Sequence, residues 1–344
     1  MNNLFKKAGA VVINNPSNLF YFSGYANDDA VIVLLPEKKI YISDKRVTEE
    51  AEEQLRDFEV VDCGKQSYLE AAASIIIKQA PEYLGYEDQT ILYKDYLELC
   101  KIPCKCIGVS EEINLLRAVK NPYELNKIKK AQSVTDAIFG IILSDIREGM
   151  AEKELCQIIN GQIYSRGCTL AFDTIVAFGE NTGKPHAHPS DRKLKKGDCV
   201  TVDFGAKYQG YCSDMTRSFA FGKPSHDYQK IYNIVLEAQL AAIHSLKAGI
   251  TGKEGDAYAR DVFRKYGLEK YFTHSLGHSL GVDIHENPRL SYKWDKPIPQ
   301  GAVMSIEPGL YFPKEFGARI EDIAYFENNG IDNLTNSPKK LIIV

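Results

Sequence analysis

The stretch VTVDFGAKYQGYCSDMTRSF, residues 200–219, decides much of the fold, because two strand-like runs flank a short polar turn. If residues 208–209 are the centre of a tight hairpin, Asp203 and Asp214 lie opposite each other. Opposed carboxylates repel each other in a sheet, and a divalent cation between them would offset that repulsion. Alternatively, one aspartate accepts a backbone hydrogen bond while the other is solvated, or a bulge at Gly210 changes the register.

Histidines are concentrated further along the chain. THSLGHSLGVDIHENP, residues 273–288, holds His274, His278 and His285, three of the seven histidines in the sequence. Imidazoles act as metal ligands or acid–base groups near neutral pH, so this concentration favours a catalytic centre. The competing interpretation is that the three histidines are ordinary buried or exposed side chains.

The same stretch contains a rival motif. Residues 277–281, Gly-His-Ser-Leu-Gly, match the G-x-S-x-G turn that carries the nucleophile of many serine hydrolases. That turn follows a strand and precedes a helix, and its triad needs an acid and then a histidine later in the chain. Only His285 follows Ser279, and it follows closely. The sequence therefore argues against a serine hydrolase.

Two glutamates complete an oxygen-rich set. Glu307 ends an apolar strand at the Pro-Gly turn of AVMSIEPGLYF, residues 302–312, and Glu321 lies inside the strand-like run GARIEDIAYF, residues 317–326. A carboxylate at such a position is costly unless it is paired or bound to a metal. Two aspartates, one histidine and two glutamates form a ligand set that manganese, cobalt, iron or zinc accepts.

A polar, turn-rich segment, GENTGKPHAHPSDRKL, covers residues 179–194 between two strand-like runs. Loops of this kind often contact substrate, and we assign that role to His186. His188 is expected to be exposed.

Length and periodicity predict two domains, because 344 residues exceed the usual size of a single core. Residues 1–117 alternate strand-like and helix-like runs, which predicts an α/β domain. Asn121 and Pro122 then begin a helix with apolar positions every three or four residues, and Thr251 begins another with a capping box. We therefore expect a second domain over residues 118–344.

Composition excludes several classes of protein. A net charge of −4 gives no broad positive field, so nucleic acid is not an expected partner. The sequence lacks a secretory signal and an apolar run long enough to span a membrane, so we expect a cytoplasmic protein. The eight cysteines show no paired spacing and are expected to be reduced thiols. Neither a phosphate-binding GxxxxGK[ST] loop nor a zinc-binding HExxH motif occurs.

The motifs quoted above, in their order and spacing, resemble the M24B metallopeptidases, the aminopeptidase P and prolidase group. The resemblance implies a two-domain α/β chain, with a small creatinase-like domain over residues 1–117 and a pita-bread α+β catalytic domain over residues 118–344. It implies a homodimer that hydrolyses proline-containing peptides as a Xaa-Pro aminopeptidase or a Xaa-Pro dipeptidase. It also implies two divalent metal ions per chain, with manganese expected and cobalt, zinc or iron as alternatives.

The resemblance also assigns roles to individual residues. Asp203 chelates one metal, His278 and Glu307 hold the second, and Asp214 and Glu321 bridge both. The catalytic and substrate-binding set is His186, His274, His285, Glu307, Arg289 and Arg319. Arg289 resembles an arginine that meets the substrate carboxylate in some prolidases. Tyr311 and Phe312 are candidates for a proline-ring pocket. A homologue that keeps the fold and acts only as a binding protein is the alternative, and the intact ligand set argues against it.

Overall fold

A computed structural model describes residues 2–344, and the chain divides into two compact units, Met1–Arg117 and Ala118–Val344. The division falls just before the helix that Asn121 and Pro122 are predicted to begin. None of the helices within the described range is long and apolar enough to cross a membrane.

The first unit is built on a mixed sheet with the strand order β4-β3-β2-β1-β5-β6. Its strands are β1 (Ala10–Ile13), β2 (Val31–Leu35), β3 (Lys38–Ser43), β4 (Glu59–Asp62), β5 (Tyr83–Tyr86) and β6 (Lys105–Gly108). Its helices are α1 (Asn2–Lys7), α2 (Pro16–Ser23), α3 (Thr48–Gln54), α4 (Tyr68–Gln79), α5 (Tyr93–Leu99) and α6 (Ser110–Ala118). Every residue of β1 and β2 is buried, which is typical of a sheet covered on both faces.

The second unit consists of two halves of similar design, each with a pair of helices followed by strands. The first half holds α7 (Pro122–Asp145), α8 (Glu152–Tyr164), β7 (Thr169–Leu170), β8 (Ile175–Phe178), β9 (Cys199–Phe204), β10 (Ala206–Tyr208), β11 (Tyr211–Cys212) and β12 (Met215–Ala220). The second half holds α9 (His226–Ser245), α10 (Gly252–Lys265), β13 (Gly277–Ser279), β14 (Glu286–Leu290), β15 (Val303–Ile306), β16 (Gly309–Phe312), β17 (Phe316–Arg319), β18 (Asp322–Glu327) and β19 (Gly330–Asn333). Each half packs its helices onto its strands around a core of its own.

The predicted helix starts are confirmed. The side chain of Asn121 accepts hydrogen bonds from backbone N–H groups of the first turn of α7. The Glu124 carboxylate in turn accepts a hydrogen bond from the backbone N–H of Asn121. Pro122 is the first helical residue, where its missing N–H costs nothing. Thr251 and Glu254 form the same reciprocal cap at α10. These caps fix where each helix pair begins.

The two halves meet along β12 of the first half and the segment between β17 and β18 of the second. The backbone N–H of Glu321 donates to the carbonyl of Thr216 at 3.1 Å. The backbone N–H of Arg319 donates to the Ser218 hydroxyl, also at 3.1 Å. Side chains from sheet β12-β9-β8 and from sheet β14-β13-β15-β18-β19 line one cavity.

Candidate metal centre

One cavity of about 370 Å³ in the second unit collects the polar side chains singled out from the sequence. All ten predicted site residues line it: His186, Asp203, Asp214, His274, His278, His285, Arg289, Glu307, Arg319 and Glu321. His188 is exposed, as expected. Segments far apart in the chain thus converge on one place.

The predicted hairpin register is wrong by two residues. The turn is centred on Gln209 and Gly210, with φ of 46° and 83°, rather than on residues 208–209. Positive φ at both central positions defines the hairpin turn that matches strand twist, and glycine adopts it without strain. Asp203 therefore pairs with Thr216, not with Asp214. A shift of two residues keeps every side chain on its face, so both aspartates still reach the cavity.

Three of the predicted ligands form a tight group. One ligand atom each from Asp214, His278 and Glu321 lies within 4.8 Å of the others. The Nε2 atom of His278 is 3.6 Å from Asp214 Oδ2 and 3.4 Å from Glu307 Oε1. Its Nδ1 atom lies 3.2 Å from the carbonyl oxygen of Ser279, an acceptor, so Nδ1 carries the proton. The lone pair of Nε2 therefore faces the carboxylates.

Glu321 is placed differently from the sequence prediction. It lies in the irregular segment between β17 and β18, not inside a strand. The Thr216 hydroxyl donates to Glu321 Oε2 at 2.7 Å, which fixes one carboxylate oxygen. Glu307 follows β15 at the predicted turn, and the Ser305 hydroxyl donates to its Oε1 at 3.2 Å.

The electrostatics of this group fit a divalent cation. Burial raises the pKa of Asp214 and of Glu321, and repulsion from neighbouring carboxylates raises each further. Burial also raises the pKa of Glu307 to about 8 and lowers that of His278 to about 3. Among the described residues, the buried Oδ1 of Asp203 has no hydrogen-bond partner. Clustered carboxylates, a neutral imidazole and a buried unpaired acceptor are what a cation would satisfy.

Arg319 holds the first half of the site to the second. Its buried guanidinium donates to Asp203 Oδ2 at 2.8 Å and to the Thr216 hydroxyl at 2.9 Å. It also donates to the Tyr311 hydroxyl at 2.6 Å and to the carbonyl of Pro185 at 3.2 Å. The last bond fixes the loop that carries His186.

A chain of hydrogen bonds orients the buried ring of His274. Because Arg319 donates to the Tyr311 oxygen, the Tyr311 O–H donates to His274 Nε2 at 2.8 Å. The proton on Nδ1 faces the carbonyl of Ser275 at 2.9 Å. Burial, followed by the nearby Arg319 charge, lowers the pKa of His274 to about 3. Sequence reasoning missed Thr216 and this use of Tyr311, because neither carries a motif of its own.

The apolar wall of the cavity differs from the one suggested by the sequence. Of the described residues, Phe172, Ile175, Pro185 and Ile284 supply it, and neither Tyr311 nor Phe312 is among them. Phe312 instead packs against the rings of Tyr271 and Phe316.

His285 and Arg289 lie at the exposed side of the cavity. The rings of His278 and His285 have centroids 4.4 Å apart. Burial and the Arg289 charge lower the pKa of His285, so its ring is neutral at neutral pH. Arg289 lies in β14 directly opposite His278.

The serine-hydrolase hypothesis is wrong. Ser279 is fully buried at the end of strand β13, and irregular structure rather than a helix follows it. Its hydroxyl donates to the carbonyl of Val303 at 3.0 Å and accepts from the Lys120 ammonium at 3.1 Å. A nucleophile must instead be exposed on a strand-to-helix turn.

A two-halved α+β unit whose cavity clusters carboxylates and histidines in this way is the architecture of a metal-dependent hydrolase. Residues 126–327 match the family model of metallopeptidase family M24, and residues 5–119 match that of the creatinase/prolidase N-terminal domain. The chain therefore belongs to metallopeptidase family M24 and is a peptidase. The predicted fold class, a creatinase-like domain followed by a pita-bread domain, is confirmed.

Similar proteins span the whole chain. The chain is 35% identical to the uncharacterized peptidase YqhT of Bacillus subtilis (strain 168), over 100% of this chain and 99% of that protein. The Xaa-Pro dipeptidase from Bacillus anthracis superposes with a TM-score of 0.96 at 35% identity, over 100% of this chain and 98% of the other. The X-Pro aminopeptidase from Thermotoga maritima MSB8 superposes with a TM-score of 0.93 at 32% identity, over 100% of this chain and 99% of the other. The resemblance to the aminopeptidase P and prolidase group is thus confirmed.

Proposed function

We propose that the protein hydrolyses the peptide bond between an amino-terminal residue and a following proline, using two divalent metal ions. One observation carries the proposal: five carboxylate and imidazole groups and three further histidines line a single cavity of about 370 Å³. That volume lies within the range of small-ligand sites. Solved structures similar to this chain along its full length include a Xaa-Pro dipeptidase and an X-Pro aminopeptidase.

The residues that would hold the metal ions are Asp203, Asp214, His278, Glu307 and Glu321. When bound, two divalent ions polarise a carbonyl group and acidify an attacking water. Manganese is the expected ion, with cobalt, zinc or iron as alternatives, because carboxylates with one imidazole accept all of them. Asp203 and Asp214 come from the first half and the others from the second.

The leaving nitrogen of a proline bond belongs to a tertiary amide and must receive a proton to depart. Glu307 is the group we expect to carry that proton. In the metal-free protein, burial raises the pKa of Glu307 to about 8, and the positive charge of a bound ion would lower it and favour release of the proton. It lies 3.4 Å from His278, so it belongs to the centre of the site.

Two histidines of the cavity are the expected hydrogen-bond donors to the substrate. His285 and His186 line the side of the cavity that faces solvent, where an N–H from either can reach the developing oxyanion or the substrate carbonyl. Removing one such donor typically lowers the rate by about a hundredfold or more. His274 is held with Nε2 accepting from Tyr311, so its Nδ1 proton faces the Ser275 carbonyl.

Arg289 bears on the choice between dipeptidase and aminopeptidase. Arg289 lines the cavity and pairs with His278 across strands β13 and β14. A guanidinium binds a free carboxylate in a fixed geometry, and Ala-Pro presents that group directly behind its proline. Binding of the dipeptide carboxylate by Arg289 would favour dipeptidase activity. A longer peptide would use the cavity without that contact.

The test uses protein stripped of metal and then supplied with Mn²⁺, Co²⁺ or Zn²⁺. The substrates are Ala-Pro and Ala-Pro-Ala, with Ala-Ala as the control without proline. Metal-restored cleavage of Ala-Pro alone assigns a dipeptidase, and cleavage of Ala-Pro-Ala assigns an aminopeptidase. Absence of cleavage of both proline peptides with every ion refutes the proposed function. Equal cleavage of Ala-Ala refutes the proline specificity.

A variant separates the role of Arg289 from that of the metal ligands. Arg289→Met is expected to raise the KM for Ala-Pro and leave the KM for Ala-Pro-Ala unchanged. Lys293→Met, a nearby exposed lysine, is the matched control.

We also propose a homodimer, which sedimentation velocity tests directly.

A further inference from the structure

A buried ion pair joins Lys120 to Glu286, within the segment of residues 273–288 that carries the three clustered histidines. The side chain of Lys120 is 1% exposed and that of Glu286 is 5% exposed, with 3.1 Å between Nζ and Oε2. Fully buried lysines and glutamates are rare unless paired, because each charge loses its hydration. Neither residue belongs to the ligand set or lines the cavity.

The Lys120 ammonium also donates to the Ser279 hydroxyl at 3.1 Å. Ser279 directly follows His278 in the chain, and Glu286 directly follows His285. Ser279 and Glu286 pair with each other across β13 and β14, directly after the point where the register of the two strands shifts. The Lys120 ammonium group therefore bonds both Ser279, which follows His278, and Glu286, which follows His285.

The segment between these two residues is fitted around the Glu286 carboxylate. The backbone N–H of Asp283 donates to Glu286 Oε1 at 3.1 Å. A Cβ atom on Gly281 would lie 2.9 Å from both carboxylate oxygens, so only glycine fits there without displacing them. The carboxylate thus anchors residues 279–286, which we call the histidine loop.

Lys120 is itself fixed at its backbone. Its N–H donates to the carbonyl of Gly301 at 2.9 Å, just ahead of the cap that begins α7. The ammonium therefore reaches the histidine loop from a backbone position that is hydrogen-bonded within the second unit.

Stability alone is a poor reason for this arrangement. Replacing a buried ion pair by apolar residues of similar size often leaves stability unchanged or raises it. His278 has further supports, since its N–H donates to the Ser305 hydroxyl at 3.1 Å and its strand pairs with β14 and β15. His285, in the irregular stretch just before β14, depends more heavily on the anchored carboxylate beside it.

We propose that Lys120 and Glu286 are positioning residues that hold the histidine loop and so set His285 at its place beside His278. The link to turnover rests on the proposed peptidase function. The link to loop rigidity does not, because it concerns the chain alone. This assigns a role to Ser279 as well: its hydroxyl is an acceptor for Lys120.

The test compares wild-type protein with the double variant Lys120→Met/Glu286→Gln. The double change removes both charges together, because Lys120→Met alone would leave a buried carboxylate without its countercharge, which opposes folding. Ser279→Ala removes one bond of the ammonium and keeps the ion pair. Lys129→Met is the matched control, since Lys129 pairs with Asp332 at 3.0 Å on the surface of the same unit.

The first readout is amide hydrogen exchange over the histidine loop, residues 279–286, in metal-free protein, which needs no activity. The double variant is expected to exchange about tenfold faster there, with β16 and β17 unchanged, and Ser279→Ala to show a smaller increase. Lys129→Met is expected to match the wild type. Exchange in the histidine loop at the wild-type rate in the double variant overturns the proposal.

The second readout is the metal content and the kinetics with Ala-Pro and Ala-Pro-Ala. We expect kcat of the double variant to fall by roughly 10- to 100-fold, as a displacement of about 1 Å in a site can cause, with the metal content unchanged. A loss of metal from the double variant contradicts a specific role in placing His285. A fall in KM and kcat that Lys129→Met shares contradicts it as well. If the wild type cleaves neither peptide, the proposed function fails while hydrogen exchange still decides the role of the ion pair.

Discussion

Replacing Thr216 by valine removes one hydroxyl from the join between the two halves of the catalytic unit and preserves the shape of the side chain. Thr216 is fully buried in β12. Its hydroxyl accepts from Arg319 Nε at 2.9 Å and donates to Glu321 Oε2 at 2.7 Å. Valine can do neither, so two buried partners lose a bond at once.

The magnitude follows from those two bonds. A hydrogen bond from a charged donor contributes about 1.5–3 kcal/mol, and one between neutral groups about 1 kcal/mol. The two bonds share one hydroxyl and are not independent, so we expect a total loss of about 2–4 kcal/mol in the free energy of unfolding. For a unit of this size, a loss of about 3 kcal/mol lowers Tm by roughly 6–12 °C.

The assay is thermal unfolding of metal-free protein, so that metal affinity does not enter the comparison. Thr169→Val is the control: Thr169 lies in strand β7 of the same unit and is exposed, and surface changes of this kind shift stability by about 0.5 kcal/mol or less. A Tm for Thr216→Val within about 2 °C of the control would refute the claim that this hydroxyl joins the two halves.

Three further predictions concern the proposed metal ligands, Ser279 and the titration of Glu307. Asp214→Ala or Glu321→Ala is expected to lose both metal and activity, by about a hundredfold or more in rate; retention of two ions per chain by either variant would refute the ligand assignment. A serine-directed sulfonyl fluoride is expected to leave activity within about twofold of untreated enzyme, because Ser279 is fully buried; stoichiometric labelling of that serine would contradict this. The pKa of Glu307, raised by burial to about 8 in the folded protein, lies above its unfolded value, so its contribution to stability is present at low pH and lost as pH rises through about 8. The Tm of metal-free protein should therefore fall by several degrees between about pH 6 and pH 9, a fall that Mn²⁺ should reverse; a rise over that range would show the sign to be wrong.

Much of the fold could be predicted because local signals coincide with real elements. The caps at Asn121 and Thr251 start α7 and α10 where the sequence indicates. Helix capping depends on residues three or four positions apart, so a single sequence contains all the information needed. The candidate site residues could be chosen because carboxylates and histidines in apolar surroundings need a physical reason to be there.

The remaining features depend on contacts that no local pattern encodes. The hairpin register was predicted wrongly because either 208–209 or 209–210 can be the turn, and only the conformation of Gln209 and Gly210 decides between them. The partner of Lys120 lies 166 positions away at Glu286, beyond the reach of any periodicity. The role of Thr216 and the hydrogen-bonding role of Tyr311 were missed for the same reason, since both depend on Arg319, which reaches them through the folded core.

The division of the site between two halves has a consequence for the order of events during synthesis. On the proposed ligand set, Asp203 and Asp214 leave the ribosome well before His278 and Glu307, and Glu321 leaves last. A growing chain therefore offers an incoming ion only two carboxylates for much of its synthesis, which is a weak site. On this ligand set, tight binding of an ion would follow the docking of the second half, and the first half would fold without help from the ion.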